Sequence, residues 1–235
     1  MWPAHILADY SGHLPVTVDA IIFDFDGVLI ESEFIGNEQI ARTLTELGYP
    51  TTVDQSLDNF TGLGGRDFLE AVERHIGGSI PEAFHEARSI EDARVLANGV
   101  DAVVGAVAFV RSLPRDLPRA IASSSTTHWI RTHLDHLGLR ASFEPHVYSG
   151  REHVTRGKPA PDIYLHAAKM LGVDIARTLI IEDSPVGMTG AVASGAQVVG
   201  LAAGRHCRDG HGDKLRATGA TRIVHDFEAI ARFFD

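Results

Sequence analysis

The tetrapeptide Asp24-Phe25-Asp26-Gly27 carries two carboxylates one residue apart, at the end of a short apolar run. If that run is a strand, side-chain alternation turns both carboxylates to one side, and Gly27 lets the chain bend sharply beneath them. One carboxylate can then attack an electrophile while the other handles protons. Taken alone, the same residues read at least as readily as an acidic strand end that caps the next segment.

Three more groups stand in similar settings. Ser123 follows Ala120-Ile121-Ala122, Lys158 lies in Gly157-Lys158-Pro159-Ala160-Pro161-Asp162, and Glu182-Asp183-Ser184 follows Leu179-Ile180-Ile181. Singly they carry little, since a lone lysine is usually a solvated side chain and a serine ahead of a helix is usually its cap. Ser124, Ser125 and Thr126 compete for that capping role. Ser123 is preferred as an anion ligand because it comes first after the apolar run, with Ser124 and Ser125 next. Together the groups suit phosphoryl chemistry. A carboxylate approaching a phosphate dianion is repelled, so a cation and an ammonium group such as Lys158 must neutralise the phosphoryl oxygens.

The elements that must position these groups are short strands alternating with helices. Residues 20–25, 119–122, 178–181, 196–201 and 221–224 are apolar and rich in β-branched residues, and each run gives way to polar or glycine-containing sequence. Helical periodicity fills residues 126–137, 163–171 and 186–194, each closed by a glycine, and a last helix is expected at 227–234. This alternation predicts an α/β fold with a Rossmann-like open parallel sheet flanked by helices. Ligands of such sheets bind beyond the C-terminal strand ends, which gathers Asp24, Asp26, Ser123, Glu182 and Asp183 around one crevice. Between residues 33 and 98 the pattern becomes helical, at 37–47, 66–76 and 81–96, with no buried strand. The expected organisation is a core of residues 18–32 and 99–235, a helical cap domain of residues 33–98 hinged near 30–34 and 98–100, and a poorly ordered N-terminal extension of residues 1–17.

In their order and setting, the groups around Asp24, Ser123, Lys158 and Glu182-Asp183 resemble the four motifs of the haloacid dehalogenase-like hydrolase superfamily. The resemblance spans roughly residues 18–235 and is to members with a helical cap after the first motif, among them sugar-phosphate phosphatases and β-phosphoglucomutases. It implies that Asp24 is a nucleophile forming an aspartyl-phosphate. Asp26 is then the acid for the leaving group and the base for water, and Ser123 and Lys158 grip the phosphoryl oxygens. It also implies Mg2+ held by Asp24, the backbone carbonyl of Asp26 and Asp183, with Glu182 assisting directly or through water; oxygen ligands suit that hard ion. In the insertion, Thr61-Gly62-Leu63-Gly64-Gly65-Arg66 is a flexible loop leading into a helix. Similar enzymes touch substrate with the equivalent loop, so Arg66 is a candidate for a second anionic group, against the plain alternative of a surface arginine. One departure is Glu31-Ser32-Glu33, where similar proteins commonly have aspartate before the serine.

Composition narrows the partner. With 31 acidic and 21 basic residues the net charge is -10, which argues against nucleic acid and anionic membrane and for a small substrate. The single cysteine, Cys207, permits no internal disulfide, and residues 1–18 lack the pattern of a signal peptide, so the cytoplasm is the expected compartment. A monomer is the default expectation. His206, Cys207 and His211 match no common zinc spacing and read as a surface loop, and Asn59-Phe60-Thr61 is a glycosylation sequon without a sign of secretion. The expectation is therefore an Mg2+-dependent phosphatase of a small phosphorylated metabolite, a sugar phosphate being one candidate. A β-phosphoglucomutase-like phosphomutase and a non-catalytic binding protein are the competing readings. A dehalogenase fits less well, because cleaving carbon–halogen bonds leaves no oxygen for Asp26 to protonate.

Overall fold

The structure, a computed structural model, describes residues 5–7, 16–63 and 65–234, with side chains from Val18 onward. Two short strands, β1 (His5–Leu7) and β2 (Val16–Val18), pair antiparallel. The rest of the expected N-terminal extension lies outside the described residues. The chain then forms β3 (Ala20–Phe23), followed by four helices, α1 (Ser32–Glu46), α2 (Val53–Phe60), α3 (Gly65–Ile76) and α4 (Glu82–Asn98). After α5 (Ala106–Ser112) come β4 (Arg119–Ser123), α6 (Thr127–Leu137), α7 (Arg140–Phe143) and β5 (Val147–Ser149). The chain closes with α8 (Asp162–Leu171), β6 (Thr178–Glu182), α9 (Pro185–Ala193), β7 (Gln197–Leu201), α10 (His211–Ala217), β8 (Ile223–Val224) and α11 (Phe227–Ala231).

Six strands form one parallel sheet in the order β5-β4-β3-β6-β7-β8. The chain leaves β3 to build one half outward, then returns to the other side of β3 to build the second half. Phe23 is in register with Ile121 of β4 and Ile181 of β6, so the ends of three strands meet where the order reverses. That reversal opens a crevice for ligand in such sheets.

The sheet is buried on both faces, as continuous apolar strands require. Ile21 and Phe23 turn to one side, where Phe23 meets the rings of Phe143 at 5.5 Å and Phe109 at 6.1 Å edge-on. Ile22 turns to the other, against Tyr164, Ile180 and Met188. Each fully buried side chain of this size contributes about 1.5–3 kcal/mol, so the end of β3 is held rigidly. The helices α1–α4 share a separate apolar cluster, in which Ile40, Leu44 and Val72 surround Phe60 and Phe84. Phe68 stacks on Phe84 there at 6.4 Å.

Two links join the helical insertion to the loop after β7. Glu31 Oε2 accepts from the backbone N–H of Arg205 at 2.9 Å, with the guanidinium of Arg205 over the Phe34 ring at 3.8 Å. Arg208 donates to the Asp54 carbonyl at 3.1 Å and lies 3.5 Å from Asp58.

The expected strands and helices are present with shifted ends. The first strand stops at Phe23 rather than 25, so Asp24 and Asp26 sit in the turn beyond it. The final helix spans Phe227–Ala231 rather than 227–234, and the last strand keeps only two residues. The short β1, β2, β5, α2, α5, α7 and α10 went unforeseen, β1 and most of β2 within the segment expected to be a poorly ordered extension. None of the helices among the described residues is long and apolar enough to cross a membrane.

Candidate active site

Asp24 continues the line of β3 for one residue, its N–H donating to the Ile181 carbonyl at 2.9 Å. The chain then turns at Gly27, whose φ of 79° lies in the left-handed region. A side chain here would also collide with the Asp183 carboxylate and the His206 ring, so only glycine leaves room for them.

Lys158 arrives from the loop before α8. Its Nζ lies 2.6 Å from Asp24 Oδ1 and 2.5 Å from Glu182 Oε1, and its side chain is 5% exposed. Burial alone would lower its pKa, but the carboxylates of Asp24 and Glu182 outweigh that and hold it well above the ordinary lysine value. Lys158 is thus a fixed cation. Burial raises the Asp24 carboxyl well above its usual range, and the charges of Glu182, Asp183 and Asp26 add to the rise while Lys158 opposes it. Asp183 is likewise raised well above, by burial first and then by the charges of Glu182 and Glu33. One ammonium group is too little positive charge for this cluster.

Glu182 has both oxygens engaged. Oε1 accepts from Lys158 and from Tyr164 Oη at 2.6 Å, while Oε2 accepts from the N–H groups of Asp183 and Ser184 and from Ser184 Oγ, each at 3.1 Å. Asp183 differs: Oδ2 accepts from His206 Nε2 at 2.8 Å, and Oδ1 is buried with no hydrogen-bond partner.

A divalent cation fits this arrangement. Asp24, Glu182 and Asp183 bring carboxylate oxygens within 4.8 Å of one another in a buried setting, and the orphaned oxygen of Asp183 lacks only a positive partner. An all-oxygen donor set suits a hard ion. Because Glu182 is occupied by protein donors, Asp24 and Asp183 are the better placed ligands and Glu182 acts chiefly as the anchor of Lys158.

Asp26 is held by four donors. Ser32 Oγ and Trp129 Nε1 reach Oδ1 at 2.7 and 3.0 Å, and Ser125 Oγ and Ser123 Oγ reach Oδ2 at 2.6 and 3.2 Å. Ser123, at the end of β4, also accepts from the Ser125 N–H at 2.9 Å. Thr126 caps α6 instead, through the N–H of Trp129 at 3.2 Å.

Asp24, Asp26, Ser123, Lys158, Glu182 and Asp183 are therefore brought to one crevice, whereas two candidates are not. Ser124 is exposed, and the serine that turns inward beside Ser123 is Ser125. Arg66 begins α3 with its side chain 89% exposed and paired to Glu70 at 2.6 Å, outside the cluster. The loop of His206, Cys207 and His211 is corrected as well. His206 is buried against Asp183, because the turn after β7 folds back over Gly27, while Cys207 and His211 are half-buried and Arg205 and residues 208–210 stay exposed. Trp129 and Tyr164 escaped sequence reasoning, although Tyr164 follows the Lys158 run by two residues, and Ser32 and His206 were met there without a role at the carboxylates.

Comparison with known proteins places this geometry among relatives. The family model for haloacid dehalogenase-like hydrolases matches residues 18–195. The chain is similar to 6-phosphogluconate phosphatase of Escherichia coli, 25% identical over 210 residues that cover 88% of this chain and 91% of the relative. It is also similar to hexitol phosphatase B of Escherichia coli, 30% identical with 77% and 82% covered. Among solved structures, a HAD family hydrolase from Deinococcus radiodurans with bound phosphate and sodium superimposes with a TM-score of 0.79. It shares 30% sequence identity and covers 91% of this chain and 93% of its own. A haloacid dehalogenase-like protein of unknown function from Agrobacterium tumefaciens reaches a TM-score of 0.82 at 33% identity, covering 91% and 96%.

Proposed function

The chain belongs to the haloacid dehalogenase-like hydrolases, and on that premise we propose that it is an Mg2+-dependent phosphatase of a small phosphorylated sugar or polyol, working through an aspartyl-phosphate on Asp24. The observation that carries this reading is the buried contact of Lys158 with Asp24 and Glu182 beside an unpartnered Asp183 oxygen. Such a set is costly to keep unless charge is about to be neutralised there by a cation and a phosphoryl group.

An oxygen of Asp24 attacks phosphorus while the bond to the leaving oxygen breaks, and Asp26 gives that oxygen its proton. Asp26 then takes a proton from water, which attacks phosphorus, releases inorganic phosphate and restores Asp24. Lys158 and the Ser123 hydroxyl hold the non-bridging oxygens. Mg2+ on Asp24 and Asp183 supplies the remaining neutralisation of phosphoryl charge when bound. The helices of residues 33–98 serve as a cap domain that covers the crevice and selects the organic part of the substrate; their separate apolar cluster supports that division.

The purified chain is tested with Mg2+ against a panel of phosphorylated sugars, polyols and sugar acids. Phosphate release that needs Mg2+ and disappears in Asp24→Asn is expected. Transfer of label from the trapped phospho-enzyme to a sugar phosphate rather than to water would overturn it in favour of a phosphomutase. No turnover on any member would leave a binding protein.

A further inference from the structure

Beside the oxygen-lined cluster lies a donor set of different chemistry. His206, Cys207 and His211 bring one ligand atom each within 4.8 Å of one another. All three belong to the segment between β7 and the first turn of α10. Two tight turns fold it: the Cys207 N–H donates to the Gly204 carbonyl at 2.9 Å, and the His211 N–H to the Arg208 carbonyl at 2.9 Å. Gly210, with φ at 81°, then directs the chain into the helix. Donors whose linear spacing fits no familiar pattern thus converge through the turns.

Their distances suit a small cation. Cys207 Sγ stands 3.2 Å from His206 Nε2. An ion bound tetrahedrally at about 2.0 Å from nitrogen and about 2.3 Å from sulfur keeps those two ligands about 3.5 Å apart. The His206 side chain is 1% exposed, and its Nδ1 is buried without a partner, so the ring makes its polar contacts through Nε2 alone. His211 is held beside it, Nε2 2.6 Å from the Asp183 carbonyl and the two rings edge-to-face at 5.5 Å.

We propose that His206, Cys207 and His211 form a second metal site, one that takes a borderline-soft cation, Zn2+, next to the hard-cation carboxylates. Sulfur and imidazole select such an ion, whereas Asp24 and Asp183 offer only oxygen. On binding, bonds form from the metal to Sγ, to His206 Nε2 and to a ring nitrogen of His211, with solvent in the fourth position. The thiol proton leaves to solvent, and the ring proton of His206 moves from Nε2 to Nδ1. Because Nε2 is the atom that supports Asp183, loading the soft site removes that hydrogen bond from the carboxylate beside it. Zn2+ is therefore an inhibitor. The binding stands independently of the proposed activity; the inhibition rests on the phosphatase reading.

The experiment titrates the chelator-treated full chain with Co2+, whose thiolate complexes absorb by charge transfer in the near ultraviolet, and then with Zn2+. Saturation at about one equivalent is expected for the charge-transfer band, which Zn2+ abolishes. Zn2+ also shields Cys207 from alkylation. The band is absent in Cys207→Ser and in His211→Gln, each checked for native circular dichroism, and persists in Asp24→Asn. With Mg2+ in excess, inhibition by Zn2+ is weakened about tenfold or more in Cys207→Ser. No charge-transfer band, or alkylation indifferent to Zn2+, overturns the site whether or not phosphatase activity is found. A Cys207-dependent band with turnover indifferent to Zn2+ keeps the site and overturns its inhibitory effect.

Discussion

The Tyr164 hydroxyl donates to Glu182 at 2.6 Å, on the same oxygen that holds Lys158. The ammonium lies 5.1 Å from the centroid of the tyrosine ring, so one side chain from α8 steadies the lysine and its counter-ion together. Burial, with the charge of Glu182 next, keeps the phenol protonated by raising its pKa well above the ordinary value. Tyr164→Phe keeps the ring and removes the donor. The expected cost is about 1–3 kcal/mol in urea unfolding, because a buried carboxylate oxygen loses a partner. A fall in kcat larger than any change in KM should accompany it, as Lys158 is less firmly aimed.

As a ligand of the proposed cation, Asp183 should tie stability to metal. Its folded pKa is raised by burial and by Glu182, so the metal-free fold binds this proton more tightly than the unfolded chain does. The associated stability is complete below the ordinary carboxyl value of about 3.8 and is lost as pH rises through the folded value. Asp183→Asn should accordingly raise Tm in the presence of chelator at neutral pH. It should also abolish the gain in Tm that Mg2+ gives the unaltered chain. Differential scanning calorimetry with and without Mg2+ reads both; an asparagine variant still stabilised by Mg2+ would remove Asp183 from the ligands.

Gly27 offers a steric test of the same cradle. An added methyl must displace the Asp183 carboxylate and the His206 ring, at a φ that disfavours side chains. Gly27→Ala is expected to destabilise by about 1–3 kcal/mol and to weaken Mg2+ binding measured calorimetrically. Gly36→Ala, inside α1 where a methyl meets open space, should instead raise stability by about 0.5–1 kcal/mol and leave Mg2+ binding unchanged.

His133 gives a pH signature. It is fully buried beneath Trp129, its Nδ1 2.9 Å from the Trp129 carbonyl and its Nε2 unpartnered. Burial lowers its pKa, opposed by the Trp129 carbonyl and the charge of Asp26. A lowered folded pKa means stability that is complete above the unfolded value of about 6.5 and lost as pH falls. The difference in Tm between the unaltered chain and His133→Leu should therefore shift against histidine on going from about pH 8 to about pH 5. A pH-independent difference would show that the ring carries no such linkage.

The parallel sheet could be read from the sequence because its strands are apolar on both faces and change character abruptly at their ends, as Ile181 to Glu182 illustrates. The same transitions marked Asp24, Ser123 and Asp183, whereas Lys158 stood out only through its Gly157–Asp162 setting. Helix α2 was harder, since its eight residues carry only Leu57 and Phe60 as buried apolar side chains, although the capping box between Thr52 and Gln55 marks its start. Strand β5 has only three residues and borrows its identity from β4 beside it. Tyr164, Trp129 and His206 reach the crevice through packing between segments distant in sequence, and no local spacing encodes that. Ser125 displaced Ser124 because it lies two residues past Ser123, the spacing that keeps both hydroxyls on the side of Asp26, while Ser124 between them turns to solvent.

The glutamate at position 31 departs from the shorter acid common at that place, and its buried carboxylate is the stitch to the backbone of Arg205. An aspartate would fall one methylene short of that amide. Anyone grafting helices α1–α4 from a relative would thus need to transplant the 205–208 loop with them. A chimera that keeps only one half leaves an unfilled seam between the start of α1 and the loop after β7.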